Sequence, residues 1–176
     1  MKKISAKAIT QIALLIAIEV ALTRFLSIQT PFVRIGFGFL PIAIIAMLHG
    51  PVLAGVSYAI GDVLGALLFP FGVFFFGFTL SAFLTGVVFG LFLHRKPSSL
   101  VRVVAAVLII GFFIRIGLTT LWLSMLWGEA FVALLPARIT AASIMAPIQV
   151  TCIRFAASER FYSMFGGKVV CGPPSG

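Results

Sequence analysis

An arginine flanked by glycines and aromatic residues lies between the first two apolar runs, in the segment Pro31–Pro41. A guanidinium offers a fork of donors that suits a carboxylate, and an aromatic face suits a flat ring. Arg34 and Phe37 are therefore candidate ligand-binding residues, while Gly36 and Gly38 give the backbone room to hinge. The same residues also fit an ordinary interfacial loop with an aromatic belt and a snorkelling arginine.

A second arginine lies beside polar and aromatic residues in the second half of the chain. Arg115, Thr119 and Trp122 are separated by offsets of four and seven residues, which on an α-helix places them on one face. Such a face can hold a ring and its polar edge. The alternative is an internally paired arginine and an indole anchored at the membrane interface.

A third arginine, Arg138, follows Pro136 at the predicted start of the last helix. Proline suits the first turn of a helix, and the free N–H groups and the dipole at such a start favour an anion. Gln149 lies deeper in the same helix, where an amide can hydrogen-bond across a bundle or contact a ligand.

Acidic residues within apolar runs are costly and are therefore candidates for function. Glu19 and Arg115 each lie about 20 Å along their helices from the same side of the membrane. An ion pair between them is the simplest structural hypothesis. Asp62 is the alternative partner of Arg115 and is also a candidate ligand contact.

The elements that must position these residues are membrane helices. Of the 176 residues, 61% are hydrophobic and 10% are charged, which is too few charges for the surface of a soluble domain. A soluble catalytic domain is therefore excluded. The net charge of +9 does not indicate nucleic acid, because the cations lie mostly between the apolar runs. Cys152 and Cys171 imply no disulfide framework.

Six apolar runs predict an all-α integral membrane protein, a bundle of six transmembrane helices. The predicted spans are Ile4–Phe25, Phe37–Leu48, Val52–Phe69, Val73–Leu93, Leu100–Leu126 and Pro136–Phe161. The second span is short unless its helix begins near Arg34. Residues 1–165 are predicted to form one domain, and the polar tail 166–176 is predicted to be unstructured.

The basic residues predict the orientation. Lys2 and Lys3, the Arg95–Lys96 loop, and Arg160 with Lys168 all fall on one side, which the positive-inside rule makes cytoplasmic. Both termini are then inside, and the aromatic, glycine-bearing connections face outwards. This asymmetry favours a ligand site at the outer face.

Small residues form a strip on the first predicted helix. Ala13, Ala17 and Ala21 recur every four residues, and such a smooth strip lets another membrane helix approach closely. The strip is a candidate partner interface. It is also compatible with an internal contact, because Gly61–Gly65 and Gly86–Gly90 show the same spacing.

Signals of catalysis are missing from the sequence. It contains no glycine-rich phosphate loop and no cluster with metal-ligand spacing, so we expect no enzyme activity, cofactor or metal. A membrane-embedded enzyme would need an acid, base or nucleophile at the interface, where Glu129 is the one obvious outer carboxylate. A channel would show a repeated polar stripe.

Several segments together are similar to a known family. They are Ala13–Ala21, Phe25–Ile28, Pro31–Pro41, Gly61–Gly65, Phe69–Pro70, Thr120–Ser124, Leu134–Arg138 and Pro147–Val150. The chain resembles the folate-specific S components of the energy-coupling factor (ECF) vitamin transporters. The resemblance implies a multi-pass subunit of the cell membrane that captures folate from outside and docks on a transmembrane T subunit driven by two ATPase subunits. An S component for another small vitamin is the alternative within this class.

The resemblance also implies roles for individual residues. The alanine strip would meet the T subunit, and the segment Ser27–Phe37 would be the gate over the site. The anionic glutamate tail of folate would bind Arg34 and Arg138. The rings of folate would pack against Phe37, Phe74 and Trp122. The candidate substrate-binding residues are Arg34, Phe37, Asp62, Phe74, Arg115, Thr119, Thr120, Trp122, Arg138 and Gln149.

Overall fold

A computed structural model describes residues 6–29, 34–69, 75–94, 99–128 and 131–157 of the chain. Its helices are α1 (Ala6–Phe25), α2 (Phe39–His49), α3 (Pro51–Leu68), α4 (Phe76–Leu93), α5 (Leu100–Ile109), α6 (Thr119–Trp127) and α7 (Phe131–Ala156). A π-helical segment, Ile110–Leu118, joins α5 to α6 into one long span. In the described residues, five apolar helices are long enough to cross a membrane and α2 is shorter. The predicted six-helix bundle is confirmed.

A short hairpin follows α1. Its strands are β1 (Ser27–Gln29) and β2 (Arg34–Gly36), paired antiparallel with Ser27 opposite Gly36 and Gln29 opposite Arg34. Glycine is required at position 36, because a β-carbon there would lie 2.6 Å from the Ser27 β-carbon. The second helix therefore does not begin near Arg34, and the all-α prediction missed these two strands.

A tight turn joins α2 to α3 at the opposite end of the bundle. Gly50 has a φ of 90°, a conformation that favours glycine, and Pro51 occupies the first turn of α3. Because α2 has 11 residues and α3 has 18, α3 continues past the start of α2. We call the end of the bundle that carries the hairpin the hairpin end.

The core of the bundle is built around α2. Every residue from Pro41 to Met47 is buried, and α2 packs against α1, α3, α4 and α7. An apolar helix surrounded in this way needs no polar face, which explains why its sequence is hydrophobic all round.

Glycines allow α3 to pack closely on its neighbours. A β-carbon at Gly86 of α4 would lie 2.5 Å from the Ala54 carbonyl oxygen, and one at Gly90 would lie 2.5 Å from the Pro51 nitrogen. On its other side, α3 receives α1 at Gly61 and Gly65. The two glycine pairs share the four-residue spacing of the alanine strip, but both lie at contacts inside the bundle. The absence of side chains there lets the helix backbones approach each other.

The predicted start of the last helix is wrong. The helix α7 begins at Phe131, so Pro136 and Pro147 lie inside it. Membrane helices tolerate such prolines because side chains, neighbouring helices and local adjustments satisfy the carbonyl that each proline frees four residues earlier. The helix ends at Ala156, and the predicted tail 166–176 lies outside the described residues.

Candidate functional site

Polar side chains of α3 and α4 meet at the hairpin end. Thr79 Oγ1 of α4 donates a hydrogen bond of 2.9 Å to Asp62 Oδ2 of α3. Thr79 is buried, and Asp62 is half-buried. A carboxylate within a membrane bundle is stabilised by such a donor, and it keeps a second oxygen to accept from a ligand.

An aromatic wall lies beside this pair. Trp122 Nε1 of α6 donates to Ser81 Oγ at 3.2 Å, and the ring of Phe75 lies 5.6 Å from the indole at an angle of 52°. The indole can lie against α4 because Gly77 has no side chain, since a β-carbon there would sit 2.6 Å from Trp122 Cδ2. The indole is thus held in one orientation by a hydrogen bond and by packing.

The guanidinium of Arg138 on α7 is a candidate charged group of the site. Arg138 Nη1 donates to the Arg115 carbonyl oxygen at 3.0 Å. Arg138 Nε has no hydrogen-bond partner among the described residues and is buried from solvent. The backbone bond therefore holds Nη1, while the Nε atom on the other edge of the guanidinium belongs to a fork of donors of the kind that binds a carboxylate.

Arg115 lies in the π-helical segment Ile110–Leu118 and not in a regular α-helix. The sequence argument placed Arg115, Thr119 and Trp122 on one face by assuming 3.6 residues per turn, but the wider π turns run through Leu118. Thr119 Oγ1 donates to the Ile114 carbonyl at 2.8 Å, so its hydroxyl serves the helix itself. That Arg115, Thr119 and Trp122 share one face stays a prediction, and Trp122 and Arg138 lie toward the hairpin end.

Thr120 and Gln149 are both buried, at 0% and 4% exposure. The Thr120 hydroxyl has no hydrogen-bond partner among the described residues. The ring of Phe37 is 42% exposed and lies 6.4 Å from the ring of Phe39. Any ligand role for these three candidates stays a prediction.

For two of the candidate residues the structure does not describe the position of the side chain. Phe74 lies outside the described residues, and for Arg34 the structure describes the backbone in β2 only. The predicted Glu19–Arg115 ion pair also stays a prediction. Glu19 Oε1 accepts from Thr23 at 2.8 Å, while the Arg115 carbonyl accepts from Arg138.

Sequence reasoning missed Phe75, Thr79 and Ser81, which line the same region. The available signal was the pair of hydroxyls two residues apart near the start of a largely apolar helix. Hydroxyls in membrane helices commonly bond to their own backbone, as Ser81 does to Gly77 at 3.0 Å. For this reason the residue types alone did not separate them from ordinary helix positions.

The alanine strip is placed differently from the glycine pairs. Ala13, Ala17 and Ala21 are all exposed on α1. They line an apolar groove of about 330 Å³ whose other wall is formed by α3 and the start of its following loop. Its lining residues from that wall are Leu64, Leu68 and Phe69. Within the described bundle the strip is therefore an outer surface.

Comparison with known proteins gives the family. The family model described as "ECF-type riboflavin transporter, S component" matches residues 3–155. The chain is an ECF S component. The predicted family is thereby confirmed, and this multi-pass membrane protein belongs to a family of transporter subunits rather than of enzymes.

Relatives of this S component are named as folate transporters. The folate transporter FolT of Clostridium novyi (strain NT) is 45% identical over 87% of this chain and 88% of its own length. FolT of Leuconostoc mesenteroides subsp. mesenteroides is 32% identical over 95% of this chain and 93% of its own. A crystal structure of FolT bound with folic acid matches with a TM-score of 0.84 at 38% identity, over 89% of this chain and 98% of that chain.

Proposed function

We propose that this S component binds folate at the hairpin end and is the substrate-capture subunit of an ECF importer. The observation that carries the proposal is the likeness to FolT with folic acid bound, which extends over 89% of the chain. The curated relatives named as folate transporters support the same substrate.

The described geometry supports a folate ligand chemically. The open edge of Arg138 suits a carboxylate of the glutamate tail, and Arg34 is the second proposed contact for that tail. The held indole of Trp122 offers a face for a ring. Asp62 keeps an acceptor for the amino-pyrimidine edge of the pterin. Arg115, whose carbonyl holds Arg138, positions that guanidinium.

The proposed partners are a transmembrane T subunit and two ATPase subunits. The exposed alanine strip of α1 supports a helix–helix contact with the T subunit, because small side chains let backbones approach and the glycine pairs are already used internally. We propose further that both termini are cytoplasmic, which places the hairpin end and its site at the outer face.

The experiment that tests the substrate is calorimetric titration of the purified protein in detergent with folic acid, riboflavin and thiamine. One-to-one binding of folic acid, with no heat from the other two, is the expected result. Riboflavin is the sharpest comparison because the matching family model bears its name. Binding of riboflavin without folic acid would overturn the proposed substrate and leave the S-component family unchanged.

Enlarging the alanine strip is expected to block docking and to spare folate binding. Ala17→Leu places a bulky side chain in the middle of the exposed strip and should weaken capture of the T subunit by about tenfold, the effect of ~1.4 kcal/mol. The readout is co-purification of the T subunit with tagged S component.

Ser143→Leu is the matched control, since Ser143 is an exposed small residue on α7. Equal docking by both variants would show that the strip is not the partner surface. Loss of folic acid binding in Ala17→Leu would instead indicate a folding defect.

A further inference from the structure

Thr23, near the end of α1, is a point of contact between this helix and the hairpin. Thr23 Oγ1 donates to Glu19 Oε1 at 2.8 Å, one helical turn earlier. Glu19 is 1% exposed, and it is packed against α3, because a β-carbon at Gly61 would lie 3.2 Å from its carboxylate carbon. The carboxylate is thus fixed from two helices, and it fixes the Thr23 hydroxyl in turn.

Both ends of the hairpin contact this point. At the start of β1, Ser27 Oγ donates to the Thr23 carbonyl oxygen. After β2, the backbone of Gly38 lies against the Thr23 hydroxyl and is close to Glu19, so that a β-carbon at Gly38 would sit 3.3 Å from Glu19 Oε1. The two chain ends therefore converge on one threonine.

We propose that Thr23, backed by Glu19, is a positioning residue that holds the hairpin against α1 and thereby sets the place of Arg34. Arg34 is the first residue of β2, four residues before Gly38. This inference rests on the proposed function, in which Arg34 contacts the tail of folate. Thr23 touches no ligand in this scheme and acts through the hairpin alone.

A ligand-free measurement tests the attachment itself. A nitroxide is placed at Gln29→Cys, in a background where Cys152 and Cys171 are replaced by serine, and its mobility is read by electron paramagnetic resonance. Thr23→Val removes the hydrogen bond that the Thr23 hydroxyl donates to Glu19, with little change of side-chain shape. This substitution is expected to raise the mobility of the label. Thr23→Ser is expected to restore the original spectrum.

Thr10→Val is the matched control on the same helix, because the exposed Thr10 hydroxyl bonds to the Ala6 carbonyl within α1, at 3.1 Å, away from the hairpin. A spectrum of Thr23→Val identical to that of Thr10→Val would overturn the proposal. If Thr23→Val does not fold, Glu19→Gln replaces it, because this substitution weakens the acceptor of the Thr23 hydroxyl without changing its shape. Its spectrum is then compared with that of Thr10→Val in the same way.

A folic acid titration then tests the route through Arg34. Thr23→Val is expected to weaken binding about tenfold, mainly through faster dissociation, and to have little further effect in an Arg34→Ala background. Fully additive losses would overturn the role of Thr23 in placing Arg34. Absence of folic acid binding in the unsubstituted protein would refute the proposed function and would leave the resonance result valid.

Discussion

Arg138→Gln is expected to weaken folic acid binding by about a hundredfold. Removing one partner of a buried, hydrogen-bonded charge pair costs about 2–5 kcal/mol, and a hundredfold corresponds to ~2.8 kcal/mol. Arg138 is expected to act in this way because its Nη1 is held by the Arg115 carbonyl while its Nε has no hydrogen-bond partner among the described residues. The measurement is the dissociation constant from calorimetric titration.

Two companion variants make this result specific. Arg154→Gln removes an exposed arginine from the same helix and should leave binding unchanged. Arg138→Lys keeps the charge and loses the fork, so its affinity should fall between those of the wild type and Arg138→Gln. If Arg138→Gln binds as tightly as Arg154→Gln, the carboxylate of the ligand lies elsewhere.

Gly90→Ala is expected to destabilise the bundle by about 2–3 kcal/mol, which is the cost of overpacking a close contact. The added β-carbon would lie 2.5 Å from the Pro51 backbone nitrogen. Backbone atoms at a helix start cannot turn aside as a flexible side chain can. At ~2–4 °C per kcal/mol for a chain of this length, the unfolding temperature in detergent should fall by roughly 4–12 °C.

Gly111→Ala is the matched control for this substitution. Nothing lies within 4 Å of a β-carbon built at Gly111, and alanine is the better helix former. Its unfolding temperature should therefore equal or exceed that of the wild type. A similar loss in both variants would mean that the glycines matter for backbone flexibility and not for the approach of α3 to α4.

The sequence was sufficient to predict six apolar spans, though not the start of the last, because most of the apolar runs are long and are bounded by charges or turn residues. It could not separate the alanine strip from the glycine pairs, since all share a spacing of four. The alanine strip and the glycine pairs differ in which part of the protein packs against them. Gly86 meets the backbone of α3, whereas Ala17 is exposed. This difference depends on tertiary packing, and helical periodicity carries no information about which element packs against a given face.

The geometry of the site was predictable only in part. Trp122 and Arg138 were identified from residue type, and both contact neighbouring elements at the hairpin end. The π turns around Arg115 were not predictable, because nothing in the residues of that segment distinguishes it from an ordinary α-helix. The start of α7 was misplaced because Pro136 is a favourable first-turn residue in water-exposed helices, and the bundle tolerates it further in.

The short length of α2 has an electrostatic consequence. At ~1.5 Å per residue, α2 is about 16 Å long and α3 about 27 Å, and the two are level at the Gly50 turn. Their hairpin ends therefore differ in depth by roughly 10 Å, and Asp62 is level with the first residue of α2. Below the membrane surface, dissolved ions screen charges far less than they do in water, and the low dielectric strengthens each pairing. Under the proposed function, the contact of Asp62 with the pterin lies at that depth, and the ionic strength of the surrounding medium should scarcely change it.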